Sequence, residues 1–405
     1  MSDVSKPASE PETRAPLRQD PGQDALLFSG GPLQGLQKRL GLAGGNRSFM
    51  RRALLTVAVS WVPLVLLTAL RGDLVRSDTA NSFILDFGAQ ARFLLAAPLL
   101  VLAEAVCVPQ LAAIARNFVD GGLVSQTDRL RYDAAVDSSQ RLMNSWVVGV
   151  VLIGLAYALV FASVKATSPD IIPSWHGRLN PFAATPAGWW GLLVSLPLLL
   201  LLLLGWLWRI CIWTRFLWLV NRLQLQLEAP HPDHAAGLAF VGRSLEAFLP
   251  IGFIVGVICA GPVANQVVHH HASPQQYKSV AIGAAIGVVL LCAGPLLVFL
   301  RRLLEQRSHG ELQYGALALR MDKRLRLKYL GARSGLDQGT FDMSDFTGTN
   351  AANSLGGSAR AIQILPLELR SVGLLMITTF LPFVPVWLLA VPFDELAKKL
   401  SAFLL

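Results

Sequence analysis

Glu104 stands in the least favourable surroundings of any charged residue in this sequence. The block Phe93–Ala115 around it is apolar and holds no other charged side chain. Glu104 is about 17 Å along a helix from Phe93, which is near the middle of the block. A carboxylate there costs several kcal/mol unless it is protonated, paired or hydrated.

Two interpretations of Glu104 follow from this cost. In the first, Glu104 accepts a proton or coordinates a cation; in the second, it is a protonated side chain that is hydrogen-bonded to a neighbouring helix. Pro98 and Pro109 flank it in the sequence. Each proline removes a backbone N–H and so frees a carbonyl group nearby.

The segment His231-Pro232-Asp233-His234 is the second candidate for chemistry. Two imidazoles and a carboxylate are suitable ligands for a divalent metal ion, so His231, Asp233 and His234 form a candidate metal site. Pro232 separates the histidines, so they need not share one helical face, and a third protein ligand would come from elsewhere. In the alternative, Asp233 caps the N-terminus of a helix.

Two further groups of residues are candidates for binding only because of their composition. The basic stretch Arg320–Lys328 predicts contact with anionic lipid head groups or an acidic partner, or else a solvated face beside the membrane. The run His269–His271 predicts metal binding only weakly, with an exposed loop as the alternative. The sequence holds no Walker A, GxSxG, HExxH or dinucleotide motif, so we name no catalytic residue and no cofactor. It also lacks a basic folded module, so we expect no nucleic-acid partner.

The elements that carry these residues are apolar blocks. Of the 405 residues 53% are hydrophobic and 15% charged, whereas soluble domains carry about 25% charge. Blocks of about 20 apolar residues match the thickness of a bilayer, and their backbone groups can be satisfied there only as helices. We therefore predict an all-α, polytopic transmembrane helix bundle. The seven blocks are Ala53–Leu70, Phe93–Ala115, Met143–Val164, Ala187–Trp208, Ser244–Ala264, Ser279–Leu300 and Ser371–Val391.

Basic residues predict the orientation. With seven spans, the segments on the side of the N-terminus contain 27 Lys and Arg residues and those on the opposite side contain 8. The positive-inside rule then places the N-terminus in the cytoplasm and the C-terminus outside. We predict a multi-pass protein of a bacterial inner (plasma) membrane.

Composition also divides the chain. We expect a disordered cytoplasmic tail over residues 1–50, spans 1 to 6 over 51–300, a cytoplasmic loop over 301–370, and span 7 with an outer amphipathic tail over 371–405. Within the loop, Ser334–Ala359 is rich in Gly, Ser, Thr and Asn and is predicted to lack regular structure. The four cysteines have no paired spacing and are interpreted as small apolar residues.

Three segments together resemble a widespread family of uncharacterised bacterial polytopic inner-membrane proteins. They are His231–Leu238, where the family typically has HPD followed by Gly-Gly-Leu, Tyr314–Ala318, and the stretch from Ser344 through Pro366. The resemblance covers about residues 50–405, and Ala236 replaces the first glycine of the motif. It implies the topology and membrane location and brings no activity.

Two functions fit these observations. The first is a non-enzymatic protein that moves a small solute or ion, or organises partners at the membrane. The second is a metal-dependent enzyme or regulator built on His231, Asp233 and His234. We favour the first, with the lipid bilayer as partner; the sequence leaves open whether the chain forms a homo-oligomer.

Overall fold

The computed structural model describes residues 45–75, 82–166, 175–179, 182–329, 343–363 and 365–389. Over these residues the chain is an all-α bundle, as predicted, with one short β-hairpin. Six helices are long and apolar enough to cross a membrane, and a bent helix pair makes up to seven. The chain is therefore a multi-pass membrane protein. Most of the predicted tail 1–50 and the predicted amphipathic tail Phe393–Leu405 lie outside the described residues.

The spans, numbered 1 to 7, extend beyond most of the apolar blocks. They are Ser48–Arg71, Phe87–Asp120, Trp146–Ala166, Pro186–Asn221, Ala239–His270, Pro274–Leu327, and the pair Leu369–Phe380 with Phe383–Leu389, which is bent by 45°. We call the side on which span 1 begins the inner side. Span 6 has 54 residues, far more than a bilayer needs, so its last part projects beyond the inner side.

Several spans are built from more than one helical segment. The α-helices are α1 (Gly45–Ser60), α2 (Val62–Arg71), α3 (Phe87–Ala89), α4 (Ala97–Asp120), α5 (Arg129–Met143), α6 (Trp146–Ala166), α7 (Pro186–Trp190), α8 (Leu196–Asn221), α9 (Ala239–Gly242), α10 (Ser244–Ala247), α11 (Leu249–His270), α12 (Lys278–Ala293), α13 (Leu300–Tyr329), α14 (Met343–Arg360), α15 (Leu369–Phe380) and α16 (Phe383–Leu389). π-Helical turns join them at Gln90–Ala96 and Gly191–Ser195, and 3₁₀ turns lie at Gln126–Asp128, Pro274–Tyr277 and Gly294–Phe299. Strands β1 (Gly177–Leu179) and β2 (Phe182–Ala184) pair antiparallel.

Spans 2 and 5 form the centre of the bundle. In the most apolar stretch of each span, 56% of the residues of span 2 and 61% of those of span 5 are buried. The corresponding share is 22% in spans 1 and 3, which lie at the periphery. Gly252 and Gly256, four residues apart on span 5, face span 7. A Cβ atom on Gly252 would lie 2.8 Å from Thr379 Oγ1, and one on Gly256 would meet the Thr379 carbonyl oxygen. This GxxxG spacing lets the two backbones approach closely, which is how helices associate without a hydrophobic driving force.

The predicted loop over Ser334–Ala359 is wrong in its second half, where α14 begins at Met343. α14 packs along α13, and its Ala352 and Ala359 are buried. Gly310 of α13 lies directly against Ala359. α14 also contains Gly, Ser, Thr and Asn, which are weak helix formers, and its packing on α13 outweighs that local propensity.

We predict that Gly256→Ala lowers the free energy of unfolding by about 1–3 kcal/mol, because the added methyl group must push span 7 away from span 5. The control is Gly283→Ala in α12, where nothing lies within 4 Å of an added Cβ. Unfolding of the purified protein in mixed detergent, followed by circular dichroism, measures both. Equal stabilities of the two variants would contradict this packing.

Candidate functional site

The first half of span 2, together with Asp86 just before it, carries a series of buried polar contacts that we call the polar column. Its positions are Asp86, Gln90, the Phe93 carbonyl, the Leu100 carbonyl and Glu104, each bonded to a side chain from outside span 2. The partners of these positions belong to spans 1 and 4 and to the loop before β1. The column therefore runs between span 2 and its neighbours rather than towards lipid.

At the inner end of the column, Glu104 is held by two arginines. Arg52 of span 1 and Arg209 of span 4 each donate from a terminal nitrogen to a different carboxylate oxygen, both at 2.7 Å. All three side chains are 15% exposed or less. The Arg209 guanidinium also lies 5.0 Å from the centre of the Trp206 ring. Charge-assisted hydrogen bonds of this length are the strong ones, so the cluster joins three spans.

The contacts revise the predicted depth of Glu104. Ser60, midway along span 1, contacts Phe93, so Phe93 lies near the middle of the bundle. Glu104 is about 16 Å further towards the inner side. The apolar block did not show this, because span 2 continues as helix beyond both of its ends. Whether Glu104 handles a proton or an ion stays a prediction.

At the middle of the column, prolines free carbonyl groups that other spans satisfy. Pro63 cannot donate to Val59, and the Val59 carbonyl accepts instead from Trp190 Nε1 of span 4 at 3.0 Å. Pro197 likewise cannot donate to Leu193, whose carbonyl accepts from the Tyr157 hydroxyl of span 3.

Ser60 joins the two π-helical turns at this depth. In span 2 the Ala97 N–H bonds to Arg92, five residues back, and Pro98 next to it has no N–H for Phe93. The Ser60 hydroxyl lies 3.2 Å from the Phe93 carbonyl and 2.7 Å from the Thr56 carbonyl of its own helix, so these two acceptors share its proton. In turn the Ser60 carbonyl accepts from Ser195 Oγ at 2.7 Å. π-Helical turns are frequent at functional sites, and here two of them meet around one serine.

At the outer end, Asp86 holds three elements together. Its carboxylate accepts from Trp175 Nε1 at 3.1 Å, from Asn265 Nδ2 at 2.7 Å and from the Ala89 N–H at 3.0 Å. Trp175, in the loop before β1, is 1% exposed. One buried carboxylate thus fixes this outer loop and span 5 to span 2.

His176 lies beside this network, outside the spans. Its pKa is lowered to about 4, first by burial and then by the charge of Arg92, while Asp86 offsets part of the effect. The ring is therefore neutral at pH 7.

The structure brings two of the three predicted metal ligands together. His231 Nδ1 lies 2.7 Å from Asp233 Oδ1. Asp233 also accepts the backbone N–H groups of Ala235, Gly237 and Ala239 at 2.9–3.1 Å. Burial alone would raise the pKa of Asp233, but these N–H groups and His231 outweigh it and lower the pKa.

His234 does not join this pair. Its backbone carbonyl accepts from the Gln363 N–H at 2.7 Å, and its side chain is exposed. Within the described ranges, no three His, Cys, Asp or Glu side chains lie close enough to hold a metal ion. The arrangement matches the alternative in which Asp233 satisfies the N–H groups of a turn that leads into a helix.

A cleft of about 490 Å³ lies beside this turn, at the inner end of span 2. We call it the inner cleft. Its lining includes the side chains of Asn117, Gln226, Glu228, His231 and Arg243 and the backbone of Gly121, Gly122 and Gly237. The loops that carry them are tied together: Gln226 N–H donates to the Leu123 carbonyl at 2.9 Å, and Gln224 N–H donates to the buried Asp128 at 2.9 Å.

The basic stretch Arg320–Lys328 lies far from the polar column, and one residue of the run His269–His271 is already hydrogen-bonded. Arg320 lies in α13, twenty residues and about 30 Å after Leu300. Because screening at physiological salt acts within about 8 Å, contact of this stretch with lipid head groups requires α13 to lie along the membrane. In the histidine run, His269 Nε2 contacts the Leu85 carbonyl at 2.9 Å.

No family model, curated protein or solved structure matches this chain. The resemblance through His231–Leu238 stays a prediction. The structure does give a reason for glycine at the position of Ala236, because Ala236 has φ +54°, a conformation that favours glycine.

Sequence reasoning missed most of the column. Arg52 and Arg209 were counted as loop charges, and Ser60 and Ser195 carried no signal of their own. Trp175, Asp86 and Asn265 are remote in sequence. Only Pro98 pointed to the freed carbonyl at Phe93.

We predict that Glu104→Gln lowers the free energy of unfolding by about 3–5 kcal/mol, because two buried guanidiniums lose their counter-charge. A triple variant with Arg52→Met, Glu104→Leu and Arg209→Met has no buried charge at this position. It is expected to recover most of the lost free energy of unfolding. Glu305→Gln is the control, since Glu305 is 61% exposed and pairs only with exposed Arg301. Detergent unfolding that shows equal costs for Glu104→Gln and Glu305→Gln would contradict a buried cluster.

We also predict that the outer loop loosens as the pH falls from about 6.5 to about 4. Between these pH values the His176 ring takes up a proton when the loop is undocked, whereas the ring of the docked loop stays neutral. The contribution of His176 to docking is therefore fully present above about pH 6.5 and is lost as the pH falls to about 4. The loss is at most about 3 kcal/mol, and less where water reaches the ring. Hydrogen exchange at the Thr185 N–H, which donates to the His176 carbonyl, reports docking after correction for intrinsic rates.

His176→Phe should remove this pH dependence, and substitution of the exposed His270 by Phe should leave it in place. If His176→Phe loosens with acid as the natural chain does, another group is responsible.

Proposed function

We propose that this chain is a bacterial inner-membrane protein, with its N-terminus in the cytoplasm, that moves a small solute or ion along the polar column. The observation that carries the proposal is the column itself. It follows span 2 from Asp86 to Glu104 and so passes through the middle of a bundle built from apolar helices. The excess of Lys and Arg on the inner side supports the orientation.

The helix irregularities strengthen this proposal. Span 1 breaks at Trp61, and spans 2 and 4 are π-helical at Gln90–Ala96 and Gly191–Ser195. Non-helical hydrogen bonding at membrane depth is tolerated where protein or a wet cavity surrounds it. Many transporters place their substrate sites at such interrupted helices near the middle of the membrane.

The structure is closed at the outer end of the column. Trp175 is buried over Asp86, and Phe83 packs edge-on against its ring at 5.0 Å. Trp61 Nε1 and Gln90 Oε1, bonded at 2.6 Å, follow one turn below. A solute would therefore pass only after these contacts open, which is how alternating access works.

Flux into proteoliposomes tests the proposal. Entrapped pyranine reports protons, a thallium-sensitive dye reports monovalent cations, and vesicle swelling reports glycine or lactate. We expect flux of at least one probe above that of empty liposomes, and a several-fold decrease in Glu104→Gln and in Ser60→Ala, which removes the link between the two π-helical turns.

The matched control is Thr214→Ala on span 4, whose hydroxyl donates to the Ile210 carbonyl of its own helix and has no other hydrogen bond among the described residues. It should leave the flux unchanged. Ser60→Ala keeps the ion cluster intact, so its result stands even if Glu104→Gln folds poorly. Absence of flux for every probe, or equal flux in the natural chain and both column variants, would overturn the proposal.

A further inference from the structure

Asp233, whose carboxylate is bonded within its own turn, lines the inner cleft together with two opposite charges that do not neutralise each other. Glu228 and Arg243 both line it and both are exposed to solvent. Among the described residues, neither side chain forms a salt bridge or a side-chain hydrogen bond. A small molecule that carries both charges can bridge the gap that they leave.

His231 adds a directed hydrogen-bonding group. Its Nδ1 lies 2.7 Å from Asp233 Oδ1, and a carboxylate can only accept, so Nδ1 carries a proton. The ring lines the cleft, and the Nε2 atom of a neutral imidazole with this tautomer is an acceptor. An ammonium group in the cleft can pair with the Glu228 carboxylate and donate to this nitrogen, since both residues belong to the lining.

A carboxylate group of the ligand would find its partners elsewhere in the cleft. The Arg243 guanidinium matches a carboxylate in a two-bonded geometry. The amides of Asn117 and Gln226, also in the lining, offer both donors and acceptors to the rest of a polar molecule.

The frame of the cleft suits a small ligand. Its volume of about 490 Å³ falls within the range of small-molecule sites. Gly122 (φ +70°) and Gly237 (φ +92°) leave bare backbone at the lining, which lets a ligand approach closely. The bonds from Gln226 to Leu123 and from Gln224 to Asp128 hold the walls in place without a ligand.

We propose that the inner cleft binds a small zwitterion, of the size of an amino acid or a dipeptide, with its carboxylate at Arg243 and its ammonium group between Glu228 and His231. This site is separate from the polar column and does not depend on solute movement. It also gives the His231–Asp233 pair a role other than metal binding.

Calorimetric titration of the full-length protein in detergent tests this assignment. The probes are L-alanyl-L-alanine, its N-acetyl derivative, its C-terminal amide and inorganic phosphate. We expect the free dipeptide to bind at least tenfold more tightly than any of the other three. Arg243→Gln and Glu228→Gln should each weaken it at least tenfold.

Arg301→Gln is the matched control, because Arg301 is an arginine 92% exposed on α13, outside the cleft. It should bind the dipeptide as the natural chain does. Both cleft substitutions are at exposed positions, and unchanged unfolding temperatures would show that the fold is kept. No binding of the free dipeptide at millimolar concentration, or equal binding of a capped form or phosphate, would overturn the assignment. Since binding is measured in detergent, its outcome is independent of any flux result.

Discussion

Inside a bilayer no water is available to bond to a backbone carbonyl that has lost its helical N–H partner, so another protein group must do so. This constraint determines how the helices contact each other in the middle of the molecule. Pro63, Pro98 and Pro197 each remove one such partner. The carbonyls of Val59, Phe93 and Leu193 are taken by Trp190, Ser60 and Tyr157, each from another span. Local defects in three helices thereby become contacts between spans 1, 2, 3 and 4.

The buried charged residues also need bonding partners within the protein, and leaving one of them unpaired costs more free energy than leaving a carbonyl unpaired. A buried Glu104 or a buried guanidinium would each be very costly alone. Between spans 1, 2 and 4 the one carboxylate pairs with both guanidiniums, which leaves the cluster with one net positive charge. Asp86 does the same at the outer end with uncharged donors from Trp175 and Asn265. Apolar surface cannot specify how helices pack in lipid, because lipid is equally apolar. These polar contacts, with the GxxxG contact of spans 5 and 7, set the register.

Span 2 thus connects two different kinds of site. Its buried face carries the polar column, where every group is bonded within the protein. Its inner end, at Asn117 and Gly121, forms one wall of a cleft with exposed and unmatched charges. The first arrangement suits a path that opens and closes, and the second suits a ligand held at the surface.

The sequence by itself determined the fold class and nearly every span, because bilayer thickness and backbone satisfaction leave an apolar block of 20 residues only one structure. It also showed Glu104 as a costly group and Asp233 as the alternative cap. It did not show α14, which is rich in Gly, Ser, Thr and Asn and packs on α13. Nor did it show the partners of Glu104, Asp86 and Ser60, which come from residues tens to hundreds of positions away. Only the tertiary structure decided these, because a buried polar group needs a partner nearby in space, and periodicity along one chain segment carries no record of which segment lies beside it.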